Sequence, residues 1–219
     1  MSTRLKALTL KGPAGALEAV LHEREGAEPD LVAMVCHPHP LYGGTLHNKV
    51  AHRVASVLHE LGATALRFNF RGAGASEGRY DHGVGELEDA RAALDWIVAR
   101  HPRARRWVGG FSFGSWIAAR LAAERPDVEQ LLLVAPPVRR MSFEVLLTTR
   151  VPKLVLQGTH DEICPLADLQ EQFPAWAEPK RLVLVPEATH FFDRRLGELG
   201  RAIDDALRPE VMDPRARGR

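Results

Sequence analysis

A serine flanked by two glycines lies between an apolar, strand-like run and a stretch that favours a helix. The run is Arg106-Trp107-Val108-Gly109, and Gly110-Phe111-Ser112-Phe113-Gly114 follows it at once. A serine in a sharp turn between a strand and a helix is exposed at the edge of a sheet, where its hydroxyl can attack a carbonyl group. Neither glycine has a Cβ, so the strand and the helix can pass close to each other. The pattern predicts that Ser112 is the nucleophile of a hydrolase.

A serine nucleophile needs a base to take its proton and a third group to orient that base. Two histidines follow Ser112 in the chain, His160 and His190. His190 comes just after the last predicted strand, at the carboxyl end where sites of parallel sheets form, and is the expected base. Asp161 follows the preceding strand and is the expected acid, with Glu162 as the alternative. His160 precedes the acid, which does not fit the order serine, acid, histidine.

Acyl transfer also requires N–H donors for the charge that develops on the carbonyl oxygen. One donor is expected to be the backbone N–H of Phe113, and the other should come from His37-Pro38-His39-Pro40-Leu41. Proline has no N–H, which leaves His39 as the first choice and Leu41 as the second. His37 and His39 could instead bind a metal ion, but no third ligand stands at metal-site spacing. We expect neither a metal nor a cofactor.

A second stretch, Gly74-Ala75-Ser76-Glu77-Gly78, fits the same Gly-x-Ser-x-Gly pattern. Ser76 lies six residues beyond a predicted strand end at Phe70, and no helix starts after it, so we predict a loop residue. The loop also contains Gly72-Ala73-Gly74, but Gly78 comes one position late for a dinucleotide-binding pattern. Without a helix there to receive a pyrophosphate, dinucleotide binding is not predicted.

The elements that must position these residues alternate along the chain. Two strands, Leu5 to Leu10 and Leu17 to Leu21, are expected to form a hairpin. The alternation that follows predicts a mostly parallel sheet of about eight strands with helices on both faces. Thr45 is expected to cap the first helix. The further predicted strands are 31–36, 63–70, 106–109, 130–135, 151–157 and 181–185, and the predicted helices lie near 46–61, 86–100, 113–124, after 166 and at 196–207.

Length and composition indicate one globular α/β domain over residues 1–208, followed by a loose tail at 209–219. A formal net charge of +1 gives no electrostatic argument for a nucleic-acid or membrane partner. Residues 1–11 lack the apolar segment of a secretory signal, so we expect a cytoplasmic protein. Cys36 and Cys164 are expected to be buried, apolar-like residues.

Taken together, the motifs resemble the α/β-hydrolase superfamily, and within it the small bacterial serine hydrolases without a lid. The resemblance covers nearly the whole chain and implies an α/β-hydrolase fold with Ser112, Asp161 and His190 as a catalytic triad. Pro38 departs from the superfamily, in which a glycine is common at this point. The stretches that carry the likeness are His-Pro-His-Pro-Leu-Tyr-Gly-Gly-Thr at 37–45, Asn-Lys-Val at 48–50, the arginine–glycine loop at 68–76, 110–114, 158–161 and His190.

This interpretation predicts an esterase-type hydrolase that acts on small, accessible carboxylic esters or thioesters through an acyl-enzyme. Only Pro136 to Arg150 separates the sixth strand from the seventh, which is too short for a cap domain. Arg139 and Arg140 could meet an acidic substrate there, although ordinary surface exposure is the simpler expectation. The alternatives are a peptidase or acyltransferase with the same triad, and a non-catalytic binding protein with this fold.

Overall fold

An eight-stranded sheet runs through the middle of the computed structural model, which describes residues 3–24, 26 and 28–212. Its strands are β1 (Thr3–Gly12), β2 (Gly15–Arg24), β3 (Leu31–Cys36), β4 (Thr64–Phe68), β5 (Arg105–Phe111), β6 (Gln130–Val134), β7 (Lys153–Gly158) and β8 (Lys180–Val185). The order across the sheet is β1-β2-β4-β3-β5-β6-β7-β8. The β1–β2 hairpin and the β2–β4 pair are antiparallel, and all other pairs are parallel.

Helices cover both faces of this sheet, as predicted. They are α1 (Lys49–Glu60), α2 (Val84–Arg100), α3 (Phe113–Glu124), α4 (Leu166–Gln172) and α5 (Leu196–Met212). Apolar residues of α1 and α5 form a core on one face, and those of α2 and α3 form a core on the other. No described helix combines the length and the apolar character that crossing a bilayer requires.

The central strand β3 explains why the sheet needs helices on both sides. All six of its residues are buried, and successive side chains of a strand point to opposite faces. Val32 and Met34 join the core under α2 and α3, whereas Ala33 and Val35 join the core under α1 and α5. A continuous apolar run therefore supplies two cores at once.

The first helix begins later than its apolar pattern suggests. Asn48, and not Thr45, is the N-cap of α1, because its Oδ1 accepts hydrogen bonds from the N–H groups of Val50 and Ala51. The preceding residues form a turn in which the N–H of Asn48 donates to the carbonyl oxygen of Thr45. Leu46, which fits the helical pattern, is buried within that turn.

The last helix extends further than expected. The predicted tail starts at Pro209, but α5 continues to Met212 with Pro209 inside it. Val211 packs against the same core as the earlier turns of α5, and this apolar contact favours the helix beyond the proline. Residues 213–219 lie outside the described part of the chain.

The connection between β6 and β7 is short, so no cap domain is inserted at this point. Its one regular element is a 3-10 helix at Glu144–Leu147. The carboxyl ends of β5, β7 and β8 are therefore open to small molecules from this side.

Candidate active site

Ser112, Asp161 and His190 all follow the carboxyl ends of parallel strands. Ser112 comes directly after β5, Asp161 follows the end of β7, and His190 follows the end of β8. Neighbouring parallel strands end at the same edge of the sheet, and sites of such sheets form there.

The backbone at Ser112 is strained, as the predicted turn requires. Its φ is 53° and its ψ is −122°, a conformation that a residue with a side chain rarely adopts. A Cβ on Gly110 would overlap the carbonyl oxygen of Gly114, and a Cβ on Gly114 would overlap that of Cys36. The N–H of Ser112 donates to the carbonyl oxygen of Val134 at 2.9 Å. The two glycines thus permit the tight passage from β5 into α3.

The three side chains form a continuous hydrogen-bonded chain. Nε2 of His190 lies 3.1 Å from Oγ of Ser112, and Nδ1 of His190 lies 2.8 Å from Oδ2 of Asp161. A carboxylate only accepts hydrogen bonds, so Nδ1 of His190 carries the proton in this pair. In the neutral ring, Nε2 is then the unprotonated nitrogen and can accept the hydroxyl proton of Ser112.

The Asp161 carboxylate is held from several directions. Its Oδ1 accepts the N–H groups of Ile163 and Cys164, at 2.9 and 2.8 Å. Its Oδ2 accepts a 3.0 Å hydrogen bond from Nε2 of Gln157 in addition to the bond from His190. Gln157 was not among the residues predicted from the sequence, although a glutamine that follows the apolar run Leu154–Leu156 of a buried strand is a signal for a specific polar partner.

The loop that carries His190 is packed against the end of β7. A Cβ on Gly158 would overlap the carbonyl oxygen of Ala188, so the close approach needs a glycine there. The Thr159 N–H donates to the carbonyl oxygen of Val185 at 3.1 Å, and its Oγ1 accepts the N–H of Glu187 at 2.8 Å. These contacts fix the loop, and with it the imidazole.

His37 has a structural role in this arrangement. Its Nδ1 contacts the carbonyl oxygen of Pro38 at 2.6 Å, and its Nε2 accepts the N–H of Phe70 at 3.0 Å. Burial lowers the pKa of His37 to about 4, so the ring is neutral near pH 7. Both nitrogens are engaged, which leaves neither free for the metal site considered with His39.

The two candidate oxyanion donors in the first loop differ in their partners. The N–H of Leu41 donates to Nδ1 of His39 at 3.2 Å, and Leu41 is largely exposed. Within the described residues, the backbone N–H of His39 has no hydrogen-bond partner. Phe113 is the first residue of α3, and N–H groups in the first turn of a helix have no partner inside the helix.

The residues set aside by the sequence analysis lie apart from this chain of hydrogen bonds. Ser76 lies in a loop, where its Oγ donates to the carbonyl oxygen of Asn69 and accepts the N–H of Glu18. His160 and Glu162 are both exposed.

An open cavity of about 470 Å³ lies in front of Ser112 and His190; we call it the serine cavity. Its wall is a mixture of apolar and polar groups on loops that follow the strand ends. The lining residues are Pro38, His39, Tyr42, Gly43, Gly44, Asn48, Ser112, Phe113, Pro137, Arg140, Met141, Ile163, Cys164, His190 and Phe191.

Potential metal ligands also meet beside this cavity. One ligand atom each from Asp161, Cys164 and His190 lies within 4.8 Å of the others. Burial, followed by the charge of Asp161, raises the pKa of Cys164 to about 12, so its thiol stays protonated and is a poor metal ligand. Because Asp161 and His190 are also bound to each other, the cluster fits a hydrogen-bonded pair better than a metal centre.

Known proteins share both the sequence and the architecture. The family model described as serine aminopeptidase, S33, matches residues 28–146. An uncharacterized protein from Rickettsia prowazekii is 37% identical over an alignment of 206 residues, which covers 90% of this chain and 86% of that protein.

Two solved structures match over nearly their whole length. An α/β serine hydrolase homologue from Coxiella burnetii is 40% identical with a TM-score of 0.89, covering 94% of this chain and 99% of that one. A Xanthomonas campestris protein described as an α/β serine hydrolase without a lid is 37% identical with a TM-score of 0.89, covering 97% and 98%. With the short β6–β7 connection and the eight-stranded sheet, these matches lead to one conclusion: the chain belongs to the lidless α/β serine hydrolases.

Proposed function

We propose that this protein hydrolyses small carboxylic esters or thioesters through a covalent acyl-enzyme on Ser112. The observation that carries the proposal is the hydrogen-bonded chain from Ser112 through His190 to Asp161 at the wall of an open cavity. A serine hydroxyl bound to an imidazole, which is itself bound to a buried carboxylate, is the arrangement that nucleophilic acyl transfer requires.

In the proposed reaction, Nε2 of His190 takes the Ser112 proton while Oγ bonds to the carbonyl carbon of the substrate. Asp161 holds the imidazole in place and stabilises its charged form. The tetrahedral intermediate collapses as its bond to the leaving group breaks, and His190 gives its proton to that group. Water then attacks the acyl-enzyme with His190 again as base, which releases the acid and restores Ser112.

The backbone N–H groups of Phe113 and His39 are the proposed donors to the oxyanion. Both residues line the serine cavity, and neither N–H is required by another part of the fold described above. Leu41 is the weaker candidate because its N–H already binds the His39 side chain. Each such donor is worth roughly 3–4 kcal/mol of transition-state stabilisation in comparable enzymes.

Cleavage of peptides from an amino terminus is the second candidate, because the matching family model is described as serine aminopeptidase. Such an enzyme has to bind a free ammonium group, for which a carboxylate is the natural partner. None of the described residues that line the serine cavity is acidic, and one of them, Arg140, is cationic. We therefore favour esters and thioesters as substrates.

The test compares the wild-type enzyme with Ser112→Ala and with Ser56→Ala, a matched control on α1 that does not line the cavity. The wild-type protein and the control should be labelled by a fluorophosphonate and should hydrolyse p-nitrophenyl esters of short acids. Ser112→Ala should lose the label and roughly 10³-fold or more of kcat.

Turnover by Ser112→Ala at the wild-type rate would remove this serine from the mechanism. Failure of the wild-type protein to react with any ester, thioester, peptide or fluorophosphonate probe would favour a non-catalytic binding protein.

A further inference from the structure

Arg140 lies in the short connection between β6 and β7 and forms part of the wall of the serine cavity. Ser112 and His190 line the same cavity. The preceding Arg139 does not line it, although both arginines line a neighbouring groove of about 590 Å³. Of the two adjacent arginines, Arg140 alone therefore belongs to the described wall that also contains Ser112 and His190.

The guanidinium group of Arg140 is exposed and, within the described residues, has no ion-pair or hydrogen-bond partner. Other arginines of the chain are neutralised by close carboxylates, such as Arg71 by Asp89 at 2.8 Å. Glu144 and Glu171 line the neighbouring groove together with Arg140, yet no ion pair in the described part of the chain joins either acid to this arginine. The charge of Arg140 is therefore available to a ligand.

This charge is not balanced inside the serine cavity. Arg140 is the one permanently charged residue among the described residues of its lining. Burial, together with the charge of His82, lowers the pKa of His39 and so disfavours a positive charge on that side chain. The acid of the site, Asp161, is 4% exposed and accepts hydrogen bonds on both oxygens. It forms no ion pair with Arg140 in the described part of the chain.

The charge of Arg140 also acts on Cys164, another residue of the cavity wall. Burial raises the pKa of the Cys164 thiol, and the charge of Arg140 acts in the opposite direction. Cys164 lies beside Asp161 and His190. The serine cavity is roughly 10 Å across if its volume is treated as a sphere, which is the length of a small ester.

We propose that Arg140 binds an anionic group of the substrate, so that the preferred substrates are small esters or thioesters carrying a carboxylate or a similar acidic group. This inference rests on the proposed function and adds the chemical class of the substrate. A guanidinium group suits the role because its planar fork can donate two parallel hydrogen bonds to one carboxylate. The open cavity leaves the pair partly hydrated, so the attraction is weakened by salt.

The experiment uses two pairs of esters, and each pair consists of a neutral ester and an ester with one additional negative charge. p-Nitrophenyl butyrate and mono-p-nitrophenyl succinate place the charge in the acyl half, whereas phenyl acetate and 4-carboxyphenyl acetate place it in the leaving group. For each pair, the ratio of kcat/KM for the anionic ester to kcat/KM for the neutral ester is measured in wild-type protein, Arg140→Gln, Arg140→Lys and Arg139→Gln. Comparing ratios between variants cancels the different intrinsic reactivities of the esters.

In at least one pair, Arg140→Gln should lower this ratio about tenfold or more, as expected for the loss of a hydrogen-bonded ion pair. Arg140→Lys should recover part of the loss, and Arg139→Gln, which removes the same charge outside the cavity, should keep the wild-type ratio. Added NaCl at 0.5 M should lower the ratio in wild-type protein more than in Arg140→Gln.

Equal ratios in wild-type protein and Arg140→Gln for both pairs would overturn the proposal, and so would equal losses in the two arginine variants. These outcomes are distinct from failure of the proposed function, in which wild-type protein hydrolyses no ester in a Ser112-dependent manner.

Discussion

The side-chain amide of Gln157 donates to the same oxygen of Asp161 that His190 contacts, across 3.0 Å. Gln157 is fully buried, and its Nε2 also donates to the carbonyl oxygen of Cys164 at 2.7 Å. The amide thus ties the Asp161 carboxylate to the backbone of its own loop, and we infer that Gln157 is a positioning residue.

Gln157→Met should retain the fold, because an unbranched apolar side chain of similar length fits a buried strand. We expect kcat to fall about tenfold with little change in KM, since a hydrogen bond to a charged group of the site is lost. Steady-state kinetics and the rate of fluorophosphonate labelling measure the effect. Gln130→Met makes the same change at the start of β6; equal losses of kcat in both variants would indicate a general effect of stability.

The second oxyanion donor can be tested because His39 has a φ of −54°, which proline also adopts. His39→Ala removes the imidazole and keeps the backbone N–H, whereas His39→Pro removes both. If the N–H of His39 stabilises the oxyanion, kcat of the proline variant should be about 10²- to 10³-fold below that of the alanine variant. Similar kcat values in the two variants would exclude this donor and would favour the N–H of Leu41 instead.

Gly158→Ala should displace the loop that carries His190. The new Cβ would overlap the carbonyl oxygen of Ala188, so the loop has to move away from β7. A shift of about 1 Å at a catalytic group can cost up to 10²-fold, and we expect kcat to fall by roughly that factor. Gly197→Ala is the control: its Cβ would meet only the end of Arg201 at 3.8 Å, and alanine in a helix is favoured over glycine. Normal kcat in Gly158→Ala would show that the contact is not needed.

The stability of the fold should decrease in acid because of buried histidines. Burial and the nearby charge of Arg67 lower the pKa of His22 to about 3, from an ordinary value of 6.5. Nε2 of His22 accepts a hydrogen bond from Nε of Arg67 at 3.1 Å, so the folded protein requires the neutral ring. As the pH falls below 6.5, His22 takes up a proton in the unfolded chain but not in the folded chain. The stability that the neutral ring contributes is therefore fully present above pH 6.5 and is lost as the pH falls towards 3.

Between pH 6.5 and pH 3, each histidine of this kind lowers the free energy of unfolding by about 1.4 kcal/mol for every unit by which the pH falls. Urea unfolding of wild-type protein and His22→Gln at pH 7.0, 5.5 and 4.5 measures the slope. Glutamine still offers Arg67 an acceptor but cannot take up a proton, so its slope should be smaller. The same slope in both proteins would contradict the role of His22, whatever the absolute stability of the variant.

Both cysteines should be inert in the native protein. Burial raises the pKa of Cys36 and, with the charge of Asp161, raises that of Cys164 to about 12. Alkylation requires the thiolate, so iodoacetamide at pH 8 should modify neither residue in the folded state and both in urea. Rapid native alkylation of Cys164, measured by mass spectrometry, would show that the side of the serine cavity near Asp161 opens in solution.

The local sequence predicts most of the elements, because apolar periodicity and the glycines of tight turns act over short distances. The strand before Ser112 and the helix after it are both present, although the strand spans Arg105–Phe111 and is longer than the predicted 106–109. Prediction was less accurate where tertiary contacts compete with local signals. Asn48 replaces Thr45 as the cap of α1, and core packing carries α5 past Pro209.

The sequence by itself identified the serine, the aspartate and the histidine as candidates. Each of them follows a predicted strand, and the carboxyl ends of parallel strands lie at the same edge of a sheet. The resemblance to the α/β-hydrolases also implied that the three meet, but only the folded chain sets the 3.1 and 2.8 Å distances from His190 to Ser112 and Asp161. The sequence did not distinguish Arg140 from Arg139, or identify Gln157 as a partner of Asp161. These relationships depend on strand register and loop packing, which are properties of the folded chain as a whole.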